Sequence, residues 1–331
     1  MYFPATYSTL SPDALADFIT EAYRFPAVTC KLLVRGVHDT YLVESGTDKY
    51  ILRVYRDSHR SLEQIGEETS FLIMLHLKGV SVSHPVKGPH GTWTVHAELA
   101  IEGIRHMVLF TYAPGTVVKI LSPAQLRNLA REMARVHEVA VTFELDGSRW
   151  KYDLETTLFE PLRRLKAPFA EDPESYAWLQ QAAEKAANYL SQVSLHEVST
   201  GYCHFDFLPK NFHFDGDQVT LFDFDFMGEG WLVNDIMTFW MHLQLDVLHR
   251  RQTQAAADEA YQIFLQAYQE IRPLTESELK AVPYLGLGFW LFYMGFHTTH
   301  DQFINYSQLP FLQSYTGVMK HLVTTHWPGN E

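Results

Sequence analysis

Cysteine is nearly absent from this chain. Only Cys30 and Cys203 occur in 331 residues, far apart and without the spacing of a metal or redox pair. That excludes a disulfide-built scaffold and a cysteine-ligated metal centre, and leaves both as free small hydrophobes. Basic charge is short as well: 26 Lys and Arg face 39 Asp and Glu, a formal net charge of −13. Bulk electrostatics therefore speak against a nucleic-acid partner. A cationic substrate fits such a surface, and so does an ordinary soluble protein. Long apolar runs are missing too. The longest, Ala281 to Phe296, is broken by Pro283 and three glycines and is too short to span a bilayer comfortably. The opening MYFPATYSTL lacks the basic and apolar regions of a signal peptide, so the expected location is the cytoplasm, with no membrane partner. There is no internal repeat and no low-complexity tract. What is plentiful is core material: 47% hydrophobic and 14% aromatic residues, enough for one large domain or two lobes sharing a cleft.

The chain is organised around residues 201–226, GYCHFDFLPKNFHFDGDQVTLFDFDF. Asp215-Gly216-Asp217 is a hairpin-turn signal between two short apolar runs. Asn211 and Asp223 each lie six positions from Asp217. A hairpin centred there sets them opposite each other, with Cα atoms roughly 5 Å apart, beside the loop that carries Asp206. An amide oxygen and two carboxylates converging on one end of a hairpin are hard oxygen ligands suited to Mg²⁺. Asp215 and Asp217 read as turn residues only.

The order His204-x-Asp206-x-x-x-x-Asn211, then an apolar strand ending at Asp223, has the spacing of a kinase catalytic loop followed by its metal-binding aspartate. It resembles the aminoglycoside phosphotransferase/choline kinase-like family, which includes the type II homoserine kinases. There the stretch commonly reads HGDxxxxN, then IDFxD or IDWxD. Here it is His204-Phe205-Asp206, Asn211 and Phe222-Asp223-Phe224-Asp225, with Phe205 in place of the usual glycine. The resemblance implies that Asp206 is the catalytic base, Asn211 a metal ligand and Asp223 the principal metal ligand. Asp225 stays open between a second metal contact and a hydrogen bond to nearby backbone. His204 is expected to support the loop without chemistry.

Upstream, Ser11-Pro12-Asp13 opens a capped helix, and three strands follow at 31–34, 40–44 and 49–55. The third carries Arg53 within an apolar run, and the resemblance makes it the cation aimed at the ATP phosphates. The helix over 61–79 supplies Glu67 and Glu68; one of them pairs with Arg53, and the spacing favours Glu68, the other lying on the solvated face. A GxGxxG loop is missing. Phosphate cradling falls to backbone N–H groups of the short turn between Gly36 and Thr40, which argues against an ordinary protein kinase. Strands at 92–97 and 107–111 lead to Tyr112-Ala113-Pro114-Gly115, where a kinase has its hinge and where Tyr112 is a candidate adenine contact.

Helices are expected over 122–140, ending near a structural His137, then over 150–165, 176–193, 236–248, 255–268, 275–282 and 284–299. Asp235, by resemblance, ties the loop after the metal site to the next helix. The aromatic belt from Trp290 to His300 is where acceptor identity is expected to be encoded, although most of its rings should be core. His297 and His300 lack a third ligand for zinc.

The implied fold is an α+β, protein kinase-like bilobal one, with a nucleotide-binding lobe over 1–112 and a mainly helical catalytic and substrate-binding lobe over 113–331. The implied activity is phosphoryl transfer from ATP, with Mg²⁺, to a hydroxyl of a small molecule: an amino alcohol, an aminoglycoside or a sugar. A bacterial stress-response Ser/Thr protein kinase and a non-catalytic nucleotide-binding relative are the alternatives.

Overall fold

The structure is a computed structural model describing residues 3, 5, 7–56, 59–89, 91–144 and 146–328. Where the sequence suggested halves of 1–112 and 113–331, backbone contacts give one unit of Met1–Gly115 with Thr220–Asp223, and a second of Thr116–Val219 with Phe224–Glu331.

In the first unit, α1 (Pro12–Tyr23) begins where Ser11 Oγ accepts from the Ala14 N–H and Pro12 sits in the first turn, where a missing N–H costs nothing. Then come β1 (Val28–Arg35), β2 (His38–Ser45), β3 (Asp48–Tyr55), α2 (Leu62–Leu77), β4 (Val95–Ala100) and β5 (Gly103–Thr111). The strands form an antiparallel sheet in the order β1-β2-β3-β5-β4. Leu15, Ile19 and Tyr23, one helical stripe, pack on Tyr41, Val43, Leu52, Val54, Met107 and Leu109, which alternate along their strands. Each such buried side chain contributes about 1.5–3 kcal/mol. A reciprocal capping box, Ser61 with Gln64, starts α2.

The second unit holds α3 (Pro123–Ala140), β6 (Trp150–Tyr152), α4 (Glu160–Leu165), α5 (Pro173–Leu190), β7 (Thr200–Cys203), β8 (Phe212–Asp215), β9 (Gln218–Leu221), β10 (Gly228–Trp231), α6 (Val233–Leu248), α7 (Gln254–Gln269), α8 (Glu276–His297) and α9 (Leu309–His326); β9 ends within the first unit's segment. Leu158, Leu162, Leu165, Leu179, Leu287, Leu291, Leu312 and Met319 are among the residues of one apolar core in it.

Four local expectations change. Residues 150–165 are not one helix: β6 pairs with β10, and a π-helical turn, Glu155–Phe159, precedes α4. The wide turn falls just before Pro161, which has no N–H to continue the ordinary ladder. The glycine-rich 228–230, which its composition alone would make a loop, is strand, because β10 lies so close to β6 that a Cβ at Gly228 would sit 2.6 Å from the Trp150 carbonyl oxygen. Pro283 does not divide α8. Burial of Leu287, Leu291 and Met294 outweighs the roughly 3 kcal/mol a mid-helix proline costs. Gly295 lets α8 cross Pro161 at a distance where a Cβ would come within 2.8 Å of its Cα. Finally, α9 was not anticipated, although Leu312, Thr316, Met319 and Val323 form a buried helical stripe.

Candidate active site

In the first unit, β3 delivers Arg53 into a nearly dry setting. Its Nη1 donates to Glu68 Oε1 at 2.6 Å and to the Tyr55 hydroxyl at 3.2 Å, and its Nη2 donates to Asp223 Oδ1 at 2.9 Å. The Phe110 ring lies beneath the guanidinium, 4.9 Å from its centre. Glu68 on α2 is fully buried, so this glutamate holds Arg53. Glu67, expected on a solvated face, is buried as well. Asp223 arrives because segment 81–83 holds the end of β9: Leu221 N–H donates to the Ser81 carbonyl, and Ser83 N–H to the Leu221 carbonyl. Just beyond, Asp223 takes φ +63°, a left-handed conformation that Asp tolerates better than most residues. His38 Nε2 lies 3.9 Å from Asp223 Oδ1. The turn between β1 and β2 is less available than its sequence implied, since the Gly36 N–H is spent on the His38 carbonyl. Tyr112 sits at the end of β5 with the Lys49 ammonium 5.9 Å from its ring centre.

In the second unit, β7 runs into the loop of His204 and Asp206. Asp235 on α6 brackets this loop: Oδ2 accepts from the His204 N–H at 2.8 Å and Oδ1 from the Phe205 N–H at 2.7 Å. His137 lies 3.0 Å from Asp235 Oδ2, and its other nitrogen 2.8 Å from the Tyr268 hydroxyl. Asp235 was expected to tie down the segment after Asp223; it holds the segment before Asp206 instead. Phe205 adopts φ +60°, which is why a glycine suits this position. Its ring stacks on Tyr152 at 3.6 Å between centroids, 7° from parallel. His204 stays inside, its Nδ1 accepting the Asp206 N–H at 3.3 Å.

Asp206 is only 2% exposed. Its Oδ2 accepts from Asn211 Nδ2 at 2.8 Å and pairs with Lys210 Nζ at 2.7 Å. Its Oδ1 is buried and has no hydrogen-bond partner among the described residues. A buried carboxylate with one oxygen doubly held and the other an unused acceptor is suited to take a proton from a donor brought against it. Asn211 spends its amide nitrogen on Asp206, on both the carbonyl and the carboxylate, which leaves its amide oxygen for a ligand. The hairpin turn is Gly216-Asp217, so its centre falls between these residues and not on Asp217. Asp225 is fully buried in the turn Phe224–Phe226. Arg149 clamps that turn through the carbonyls of Phe224, Asp225 and Met227.

Among the described residues no three His, Cys, Asp and Glu side chains make a metal cage of their own. The oxygens of Asn211, Asp223 and Asp225 are nonetheless of the hard kind a small divalent cation takes. Within the units the structure gathers Arg53, Glu68 and Asp223, and separately Asp206 and Asn211. Lys210, Arg149 and His38 were missed. Lys210 had a legible signal, lying four residues from Asp206 in a tight Pro-containing loop. Arg149 and His38 act across distances that spacing does not reveal.

Three comparisons bear on this arrangement. Residues 29–274 match the model of the phosphotransferase enzyme family. An uncharacterized protein of Deinococcus radiodurans is 35% identical, covering 88% of this chain and 84% of the relative. A homoserine kinase of Paramagnetospirillum magneticum is 24% identical over 86% of this chain and 85% of its own. Among solved structures, amicoumacin kinase hAmiN in complex with AMP-PNP, Ca²⁺ and Ami superimposes with a TM-score of 0.73 at 18% identity, over 94% of each chain. The fold is thus the protein kinase-like one of these phosphotransferases.

Proposed function

The chain belongs to the phosphotransferase enzyme family, and from that premise we propose that it moves the terminal phosphoryl group of ATP to a hydroxyl of a small molecule, with Asp206 as the base. The observation that carries this reading is the state of Asp206: buried, with Oδ2 fixed by Asn211 and Lys210 and Oδ1 without a partner among the described residues. The acceptor hydroxyl loses its proton to Oδ1 as its oxygen bonds the phosphorus, while the bond from that phosphorus to the ADP oxygen breaks. Arg53, held by Glu68, binds donor phosphates. Backbone at Tyr112 takes the adenine. Bracketing by Asp235 keeps the loop in place without an approach to water, because both bonded N–H groups are buried.

Mg²⁺, when bound through Asn211, Asp223 and Asp225, supplies positive charge that offsets the charge on the transferring phosphoryl group. The solved amicoumacin kinase complex, which holds an ATP analogue and a divalent cation, supports the choice of donor and metal. The homoserine kinase and amicoumacin kinase likenesses support a small acceptor rather than a protein.

The test is ADP release with Mg-ATP against a panel of hydroxyl compounds. Acceptor-dependent release that disappears in Asp206→Asn is expected. Release that no acceptor raises, across amino alcohols, aminoglycosides and sugars, would remove the proposal.

A further inference from the structure

We propose that the second unit carries a further ligand site, a cavity at the end of the β6-β10-β7 sheet away from Asp206. It takes an uncharged, mainly apolar compound bearing an N–H or O–H donor, and it steadies the catalytic loop when filled. The site stands apart from the phosphoryl-transfer reading and does not depend on it.

The cavity has a volume of about 450 Å³, within the range of roughly 300–1,000 Å³ that holds a drug-sized ligand. Thr200, which lines it, begins β7, whereas the loop that carries Asp206 leaves the other end of that strand after Cys203. At ~3.3 Å per residue, four residues of extended chain put His204 roughly 13 Å from Thr200. On β10 the lining residues are Glu229, Gly230 and Trp231, and not Gly228, which pairs with Cys203.

Two lining residues nevertheless reach the loop. Tyr152 forms part of the wall, and its ring stacks on that of Phe205. Asn234 lines the cavity too, and its chain neighbour Asp235 accepts from the His204 and Phe205 N–H groups. A ligand packed against both side chains therefore stiffens the two supports that place Asp206.

The lining sets the chemistry of the ligand. Leu154, Leu158, Leu190, Val193 and Leu285 make the walls apolar. Leu195 keeps 73% of its surface exposed and Trp231 is only partly buried, so apolar surface at this cavity lacks a cover. Asn234 is 3% exposed; its amide nitrogen donates to the Trp231 carbonyl at 2.9 Å, and no described residue donates to its amide oxygen. A buried acceptor in that state calls for a donor on the ligand. Charge has no such partner. Lys151 is paired with Glu229 at 3.3 Å, and Asp153 Oδ1 accepts the Thr156 N–H. An ion entering these walls would lose hydration that nothing inside replaces.

The experiment measures binding to the full chain, without nucleotide, by calorimetry. The probe is indole, with one N–H donor. It is compared with 1-methylindole, which has none, with the cation tryptamine and with the anion indole-3-acetate. Indole is expected to bind about 10-fold or more tightly than each of the other three. Leu195→Asp, at an exposed position, should keep the native Tm and weaken indole about 10-fold. With indole at about ten times its Kd, amide hydrogen exchange over 201–206 should slow about 10-fold, and by more than exchange over α1 in the first unit. Any of four results overturns the proposal: indole does not bind, a charged or methylated analogue binds as well, Leu195→Asp binds indole unchanged, or exchange over 201–206 is unaffected. None of them bears on the ADP-release test, so the kinase reading stands or falls separately.

Discussion

Arg53 Nη2 donates to Asp223 Oδ1 at 2.9 Å, joining residues 170 positions apart. The same guanidinium holds Glu68 through Nη1, so one cation serves two carboxylates in nearly dry surroundings. Such a triad is poised rather than inert. Asp223 keeps over a third of its side chain exposed, while Glu68 keeps none, so a ligand can compete for the first carboxylate and not for the second.

Asp223→Ala tests the first half of that statement. The variant should fold, since Arg53 retains Glu68. The rise in Tm given by Mg-ATP over ATP alone should be mostly lost, because only ligands of the folded state stabilise it. A Mg-dependent rise equal to that of the native protein would show that the cation is held elsewhere.

Arg53→Ala tests the second half, and here structure revises what sequence implies. A phosphate-facing arginine on a strand could be removed at little cost to folding. With Glu68 wholly buried, removing Arg53 takes away the guanidinium that bonds its Oε1 at 2.6 Å, and breaking a buried pair from one side costs about 3–5 kcal/mol. The Tyr55 hydroxyl, 3.4 Å from Glu68, offsets only part of this. The expected result is a large drop in urea midpoint for Arg53→Ala, with Arg53→Ala/Glu68→Leu markedly more stable than the single variant. Equal midpoints would mean that the pair is not desolvated as described.

Phe205 shows where sequence reasoning runs out. The order His204, Asp206, Asn211, Asp223 was readable because spacing within one loop and hairpin is local. What Phe205 does in a glycine's place was not, because its partners Tyr152, Phe289 and Phe292 come from β6 and α8. The same limit hid Arg149 and the true target of Asp235. Phe205→Gly should relieve about 1–2 kcal/mol of left-handed strain but delete a ring whose loss typically costs about 3–5 kcal/mol. Packing wins, and the variant should be less stable by roughly 2–3 kcal/mol in chemical denaturation. A gain in stability would mean that the stack contributes nothing.

His297 gives a pH signature. Its pKa of about 4 lies below the usual value of about 6.5, so the unfolded chain binds the proton first as pH falls. Its share of stability is present above about 6.5 and is lost on the way down to about 4, up to about 3 kcal/mol. Subtracting the curve of His297→Gln from that of the native protein should reveal this slope in that window. A flat difference would place the imidazole in water.

Asp206→Asn decides whether the loop is catalytic. The substitution preserves size, and an amide oxygen can take over from Oδ2 between Asn211 Nδ2 and Lys210 Nζ, so the loop geometry should persist. The amide nitrogen then stands at the position of Oδ1 and cannot receive a proton. Stabilisation by Mg-ATP should remain near that of the native protein, while turnover of the true acceptor falls by ~10²–10⁴-fold, the usual worth of a general base. Because Oδ1 has no other partner among the described residues, little stability should be lost in the exchange. Full turnover in Asp206→Asn would mean that this buried, half-satisfied carboxylate is not the base, and the phosphoryl transfer would need another group to take the proton.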